Sequence, residues 1–321
     1  MSGSEAPRVS RREALLRLTS TAVAAAAVGA GVAAFHDRRT AAASAPAIPD
    51  WRLPTAGTGP AAAARGTDPA ANVRRAVAAL GGMERFVRGG ETVLVKPNIG
   101  WDRLPEQAAN TDPNVVAEIV RLCRAAGARR VVVTDISCND PRRCFARSGI
   151  AAAATAAGAE VIESRQLRMA PASLAGLASG LEVVGELVRA DRVVNVPVVK
   201  HHSLSRVTLG MKNWFGVLGR GRNRLHQDIN RAVAELGATF RPTLTVVDAT
   251  RVLAANGPVG GSLSDVLATG AVLAATDPVL ADAWGASQLG HAPGALAFIA
   301  EAERRGLGRA DLALVKELGT A

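Results

Sequence analysis

The chain has no tyrosine, and phenylalanine and tryptophan together make up 3% of its 321 residues. A core with so few rings must rest on valine, leucine, isoleucine and alanine. With 48% hydrophobic residues there are enough of these for a substantial one. Cysteine is also sparse. Cys123, Cys138 and Cys144 form no C-x2-C pair, so a zinc ribbon or a ferredoxin-type iron–sulfur cluster lacks its ligands. Cys123 falls on the apolar face of a helix and reads as core, while Cys138 and Cys144 bracket CNDPRRC and could pair in an oxidising compartment. The glycine fingerprints of a P-loop or a dinucleotide fold are missing. Arginines are scattered, with no basic stripe interleaved with aromatics, so no nucleic-acid partner is expected. There is no internal repeat and no membrane-length apolar run beyond the first 45 residues.

What is present begins with a leader. Ser10-Arg11-Arg12-Glu13-Ala14-Leu15-Leu16 is a twin-arginine pattern, followed by a modest apolar run from Ala22 to Phe35 and small residues at 41–45. Residues 1–45 are therefore expected to be a twin-arginine signal region. The export machinery would be a partner, the destination periplasmic or otherwise extracytoplasmic, and membrane contact confined to an uncleaved leader. Six arginines against Glu5, Glu13 and Asp37 give this region +3 of the net +10, leaving a moderately basic remainder suited to a small anionic ligand. Residues 46–68, rich in proline, alanine and glycine, are expected to be a flexible linker, and residues 69–321 the folded body.

In that body, helical and extended patterns alternate. Asn72–Val87 is helical, and Glu91–Lys96 is a short strand. Thr111-Asp112-Pro113 opens a helix through Ala126, and Arg130–Asp135 is the next strand. A helix over Pro141–Ala157 and strands over Glu160–Glu163 and Arg192–Val199 follow. Further on come a helix over Arg231–Leu236, strands at Thr243–Asp248 and Ala271–Ala275, and a helix over Pro278–Leu289. This is the grammar of βαβ units. The fold class predicted is α/β, a doubly wound and mainly parallel sheet flanked by helices.

Several predicted strands end in polar residues: Lys96 followed by Asn98, then Asp135, Lys200-His201-His202, and Asp248. Parallel strands bring such ends to one edge, where ligands bind. The segment Asn195–Asp228 is the densest, with three of the five histidines. Lys212 and Asn213 sit in the otherwise apolar TLGMKNWFG, where an ammonium must find an anion, lose part of its basicity, or snorkel out. His201 and His202 point to opposite faces if the strand continues, so one of them faces the crevice. With His226 they suit proton transfer near neutral pH. With Asp228, in the H-x-D at 226–228, the three imidazoles equally suit a divalent metal as cofactor. Asn256 and Gly257 open the turn NGPVGG, whose N–H groups either cradle an anion or simply turn the chain. The run Gly219-Arg220-Gly221-Arg222-Asn223-Arg224 is either a basic lid or a solvated loop.

VLVKPN (93–98), TDPNVVAEIVRLCRAAGARRVVVTD (111–135), VNVPVVKHHSLSRVTLGMKNWFGV (194–217), the H-x-D, LTVVDATRVLAANGPVGG (244–261) and AATDPVLADA (274–283) together resemble the domain-of-unknown-function 362 family. The resemblance runs from about Val87 to Gly290. It implies an α/β protein, often exported by a twin-arginine leader. Many members carry a ferredoxin-like domain with two cysteine clusters, and this chain has no counterpart of it. A more distant likeness to the nickel-pincer lactate racemase group is one of analogy. The first expectation is an enzyme acting on a small anionic substrate, with redox chemistry ahead of hydrolysis. Its catalytic residues would be Lys200, His201, His202, Lys212 and His226. Lys96, Asn98, Asn213, Asn256 and Gly257 would bind substrate, and Asp135 and Asp248 would orient these groups. The alternative is a non-catalytic exported protein binding a metal or an anionic solute.

Overall fold

A computed structural model describes residues 47–54, 59–174, 176–177 and 180–320. The residues expected to be a twin-arginine signal region lie outside the described ones. Its strands are β1 (Ala61–Arg65), β2 (Thr92–Pro97), β3 (Arg130–Val133), β4 (Glu160–Val161), β5 (Met169–Pro171), β6 (Glu182–Val184), β7 (Arg192–Val196), β8 (Val198–His202), β9 (Arg206–Thr208), β10 (Leu244–Leu253), β11 (Val266–Ala275) and β12 (Val315–Thr320). The main sheet has the order β12-β1-β11-β10-β7-β2-β3-β4, and β8 branches off to pair with β10 and β9. From β10 through β7, β2 and β3 to β4 every pairing is parallel. β11 runs antiparallel to both β10 and β1, and β1 runs parallel to β12. β5 and β6 form a separate antiparallel pair.

The parallel strands are buried on both faces, which is why they read as continuous valine and leucine runs. Alternate residues feed two cores. Leu94 and Leu273 belong to one, while Val93, Val95, Val272 and Ala274 belong to the other. Four of the helices that cover these faces open on the same dipeptide. Asp68, Asp112, Asp140 and Asp277 each cap a helix whose first residue is proline, accepting first-turn N–H groups at 2.8–3.1 Å. Proline has no N–H to satisfy at that position, so the pair is a compact start signal. Among the described residues no helix is long and apolar enough to cross a membrane.

Three expected boundaries change. The stretch expected to be a linker contains β1, whose four alanines are fully buried between β11 and β12, and Trp51, whose indole N–H donates to the Ala190 carbonyl at 2.9 Å. Pairing on both sides, not intrinsic propensity, makes AAAAR a strand. The helix expected over 141–157 is two helices, Pro141–Arg147 and Ile150–Ala156, because Gly149 takes a φ of 73° between them. The strand expected over 192–199 breaks at Pro197, which has no N–H to donate. Its carbonyl accepts from Asp248 N at 2.8 Å, and the chain resumes as β8 on a new path. That break carries Lys200 and His202 beyond the end of β7.

Candidate active site

At the C-terminal ends of β2 and β3, a cavity of about 400 Å³ is lined by Lys96, Asn98, Asp135, Lys200, His202, Lys212, Asn213 and His226. Sequence reasoning had put forward each of these. Lys96 ends β2 and is fully buried. Its ammonium lies 2.7 Å from Asp135 Oδ1, 2.9 Å from the Pro97 carbonyl and 3.0 Å from Asn213 Oδ1. Burial lowers its pKa and the Asp135 carboxylate opposes that. Two hydrogen bonds and the adjacent carboxylate favour its charged form. The other Asp135 oxygen accepts the Ile99 N–H at 2.6 Å. A Cβ at Gly216 would overlap Asp135 Oδ1, so glycine there is what lets the ion pair stand.

An amide chain fixes the floor. Asn213 Nδ2 donates to Asn195 Oδ1 at 2.9 Å, Asn195 Nδ2 donates to Gly210 O at 3.0 Å, and Asn98 Nδ2 donates to Asn213 Oδ1 at 3.0 Å. Asn98 Oδ1 in turn accepts from Lys200 at 2.9 Å, and the Ala109 carbonyl is the second acceptor of Lys200. Burial pushes Lys200 down to about 7, with Lys212 adding to the effect. Lys212 is carried on the Gly210–Asn213 turn of helix, whose first two N–H groups are held by buried Asp282 at 2.6 and 3.1 Å. Lys212 is 7% exposed. Among the described residues its ammonium has no hydrogen bond or ion pair, only the Phe215 ring at 5.1 Å. Burial lowers its pKa to about 8. Thr208, opposite Lys200 in the β8–β9 register, also lines the cavity, and its buried hydroxyl has no partner among the described residues.

The two cavity histidines are held in opposite tautomers. His202 Nδ1 accepts the N–H groups of Leu204 at 3.1 Å and Ser205 at 3.4 Å, so its proton is on Nε2. Burial and neighbouring lysines depress it to about 3, and the ring is neutral. His226 Nδ1 faces the Asn223 carbonyl at 3.3 Å, and a carbonyl only accepts, so Nδ1 is the protonated nitrogen and Nε2 keeps its lone pair. Burial and Lys212 lower it as well. One imidazole offers a donor and the other a base.

Five expected residues fall outside the cavity lining. His201 alternates to the other side of β8, where its Nδ1 accepts the Gly257 N–H at 3.1 Å. A Cβ at Gly257 would overlap the His201 carbonyl, so glycine serves close packing there, while Asn256 turns the chain at a φ of 53° and donates to Asp265. Asp228 caps the Ile229–Thr239 helix. Asp248 lies in mid-strand, clamping Asp112 N at 2.7 Å and both Thr250 donors, and burial raises it to about 6. The metal set His201, His202, His226 and Asp228 is thereby split. Among the described residues no group of three or more histidine, cysteine or acidic side chains is placed to hold a metal ion. All three cysteines are free thiols.

The lining also holds Thr208 and Phe215, which sequence reasoning did not raise, together with Cys138 and with Arg222 of the run expected to be either a basic lid or a solvated loop. Arg222, from the glycine–arginine run, donates to the carbonyls of Phe215 at 3.1 Å, Ile136 at 3.2 Å and Ser137 at 3.3 Å, and among the described residues it pairs with no carboxylate. A count would have pointed to the site. The chain has four lysines against 34 arginines, and three of those four are Lys96, Lys200 and Lys212.

Fold and cavity together define an α/β protein with a cation-lined site at the C-terminal edge of its sheet. The chain belongs to the family described as Domain of unknown function (DUF362), whose model matches residues 93–287. It is similar to Thylakoid-associated protein sll1697 of Synechocystis sp. (strain ATCC 27184 / PCC 6803 / Kazusa), 30% identical over 219 residues. That stretch is 66% of each chain, so just under two thirds of the relative's length is spanned. No solved structure gives a significant match.

Proposed function

We propose that the protein binds a small anionic substrate, a carboxylate foremost, in this cavity and carries out proton transfer on it outside the cytoplasm. One observation carries the reading: Lys200, Lys212 and Arg222 converge on the cavity, and the only carboxylate lining it among the described residues, Asp135, is already paired with Lys96. An anion would supply the missing charge and an acceptor for the partnerless Lys212. The opposed tautomers of His202 and His226 provide a donor and a base within the same lining. The split imidazole set favours acid–base chemistry over metal-bound redox chemistry. Arg11-Arg12 ahead of the apolar run supports export by the twin-arginine route, and the relative named for its thylakoid association supports a place at or beyond a membrane.

Calorimetric titration with acetate, pyruvate, lactate and phosphate tests the binding. Saturable binding of at least one is expected, weakened in Lys212→Met and weakened as pH rises past 8, where the cavity lysines lose charge. No binding, or binding indifferent to both Lys200→Met and Lys212→Met, would remove the reading. Deuterium uptake from solvent at the carbon beside the carboxylate marks the enzyme. The same affinity without uptake marks a non-catalytic binding protein.

A further inference from the structure

The three cavity lysines differ in how many of their protons are spoken for. Lys96 has two acceptors and the Asp135 carboxylate beside it, Lys200 has two acceptors, and Lys212 has none among the described residues. A buried ammonium without an acceptor is costly, whereas a neutral amine at the same place is not. The composition sharpens this. Arginine is the routine cation of this chain, outnumbering lysine 34 to four, and arginine cannot lose its proton in a protein. If the cavity needed fixed positive charge alone, arginine would serve, as Arg222 does. Lysine is retained where a side chain that can shed its proton is useful, and Lys212 is the one whose protons no acceptor holds among the described residues.

We propose that Lys212 is a nucleophile that forms an imine with the carbonyl group of a small carbonyl-bearing carboxylate, a 2-oxo acid or an aldehyde acid. This rests on the anion-binding reading of the same cavity. The Lys212 lone pair attacks the carbonyl carbon and the C=O π pair moves to oxygen. His226 Nε2 takes a proton from the attacking nitrogen, and the Lys200 ammonium protonates the oxygen, giving a carbinolamine. His226 passes the proton it took to that oxygen, which leaves as water while the nitrogen lone pair closes the C=N bond, and the proton left on the iminium nitrogen returns to the Lys200 amine. Amine and carbonyl are thus exchanged for imine and water, with no oxidant or reductant. The carboxylate faces Arg222, and the unpartnered Thr208 hydroxyl is a donor for the carbinolamine oxygen. The Phe215 ring beside Lys212 keeps the amine away from bulk water.

The test is reductive trapping on the full chain. Protein is mixed with pyruvate or glyoxylate and sodium cyanoborohydride, and intact mass and peptide mapping locate the adduct. Background is low, because the only lysine outside the cavity is the exposed Lys316. A single adduct per chain at Lys212, lost in Lys212→Arg, is the expected result. Labelling confined to Lys316, the N-terminus or Lys200, or labelling unchanged by Lys212→Arg, overturns the assignment. Saturation-transfer NMR on the same samples separates the two readings. Pyruvate bound but never trapped defeats the imine and leaves anion binding intact, whereas no bound pyruvate, glyoxylate or acetate defeats both.

Discussion

Replacing Lys212 with methionine should make the protein more stable at neutral pH and have progressively less effect as the solution becomes alkaline. Lys212 has a folded-state pKa of about 8 against an ordinary 10.5, and burial is the leading cause. Below pH 8 both folded and unfolded chains carry the proton, and the folded state bears the full cost of enclosing a partnerless ammonium. Between pH 8 and 10.5 the unfolded chain keeps the proton and the folded one sheds it, so the wild-type protein gains stability with rising pH. A gap of about two and a half units at 1.36 kcal/mol each gives a handicap of roughly 3 kcal/mol at pH 6.5, falling below about 1 kcal/mol by pH 10. Urea unfolding of both proteins at the two pH values reads this out. With a slope near 3 kcal/mol per molar, the midpoints should differ by about 1 M at pH 6.5 and nearly coincide at pH 10. Any packing benefit of methionine is independent of pH, so the change in the difference is the quantity that counts. A difference of the same size at both values, or a methionine variant that is weaker at pH 6.5, would show that Lys212 has a compensating partner and refute the reasoning.

Two further outcomes follow from the same geometry and from the leader. Asp135→Asn should destabilise the protein more than Lys96→Met, by about 3–5 kcal/mol against the lower end of that range. Losing the acid leaves Lys96, Lys200, Lys212 and Arg222 without an opposing charge, while losing Lys96 leaves Asp135 among the other cations. Thermal unfolding of both variants measures the order, and added anion should recover part of the Asp135→Asn loss; equal or inverted losses would contradict this. Changing Arg11 and Arg12 together to lysine should trap the protein in the cytoplasm, read by fractionation, and unchanged export would exclude the twin-arginine route.

Much of the frame was legible. The valine runs and the four Asp-Pro starts define strand and helix succession directly, because double burial and capping both act locally. The convergence of Lys96, Asp135 and Lys200 followed from strand ends. The alternation rule anticipated that only one of His201 and His202 could face the cavity, though not which. β1 was hidden because alanine has no strand preference, and its burial depends on partners more than 200 residues away. Asp248 and Asp228 illustrate the opposite error. A carboxylate at a plausible place can be turned instead to capping a helix or to local N–H and O–H donors, and that is set by loop geometry no spacing reveals. Arg222 was hidden because its run admitted two conformations equally well.

The position of β1 also bears on timing. It is synthesised early, yet its neighbours are β11 and the last strand, so Ala61 meets Ala275 on one side and Val315 on the other. A chain growing from its N-terminus cannot pair these alanines with either neighbour until more than 200 further residues have been made. The sheet is then completed by an early segment slotting in beside much later ones. Until that moment β11 presents an open edge, and a prematurely halted chain would be left with a sticky rim in place of a closed one.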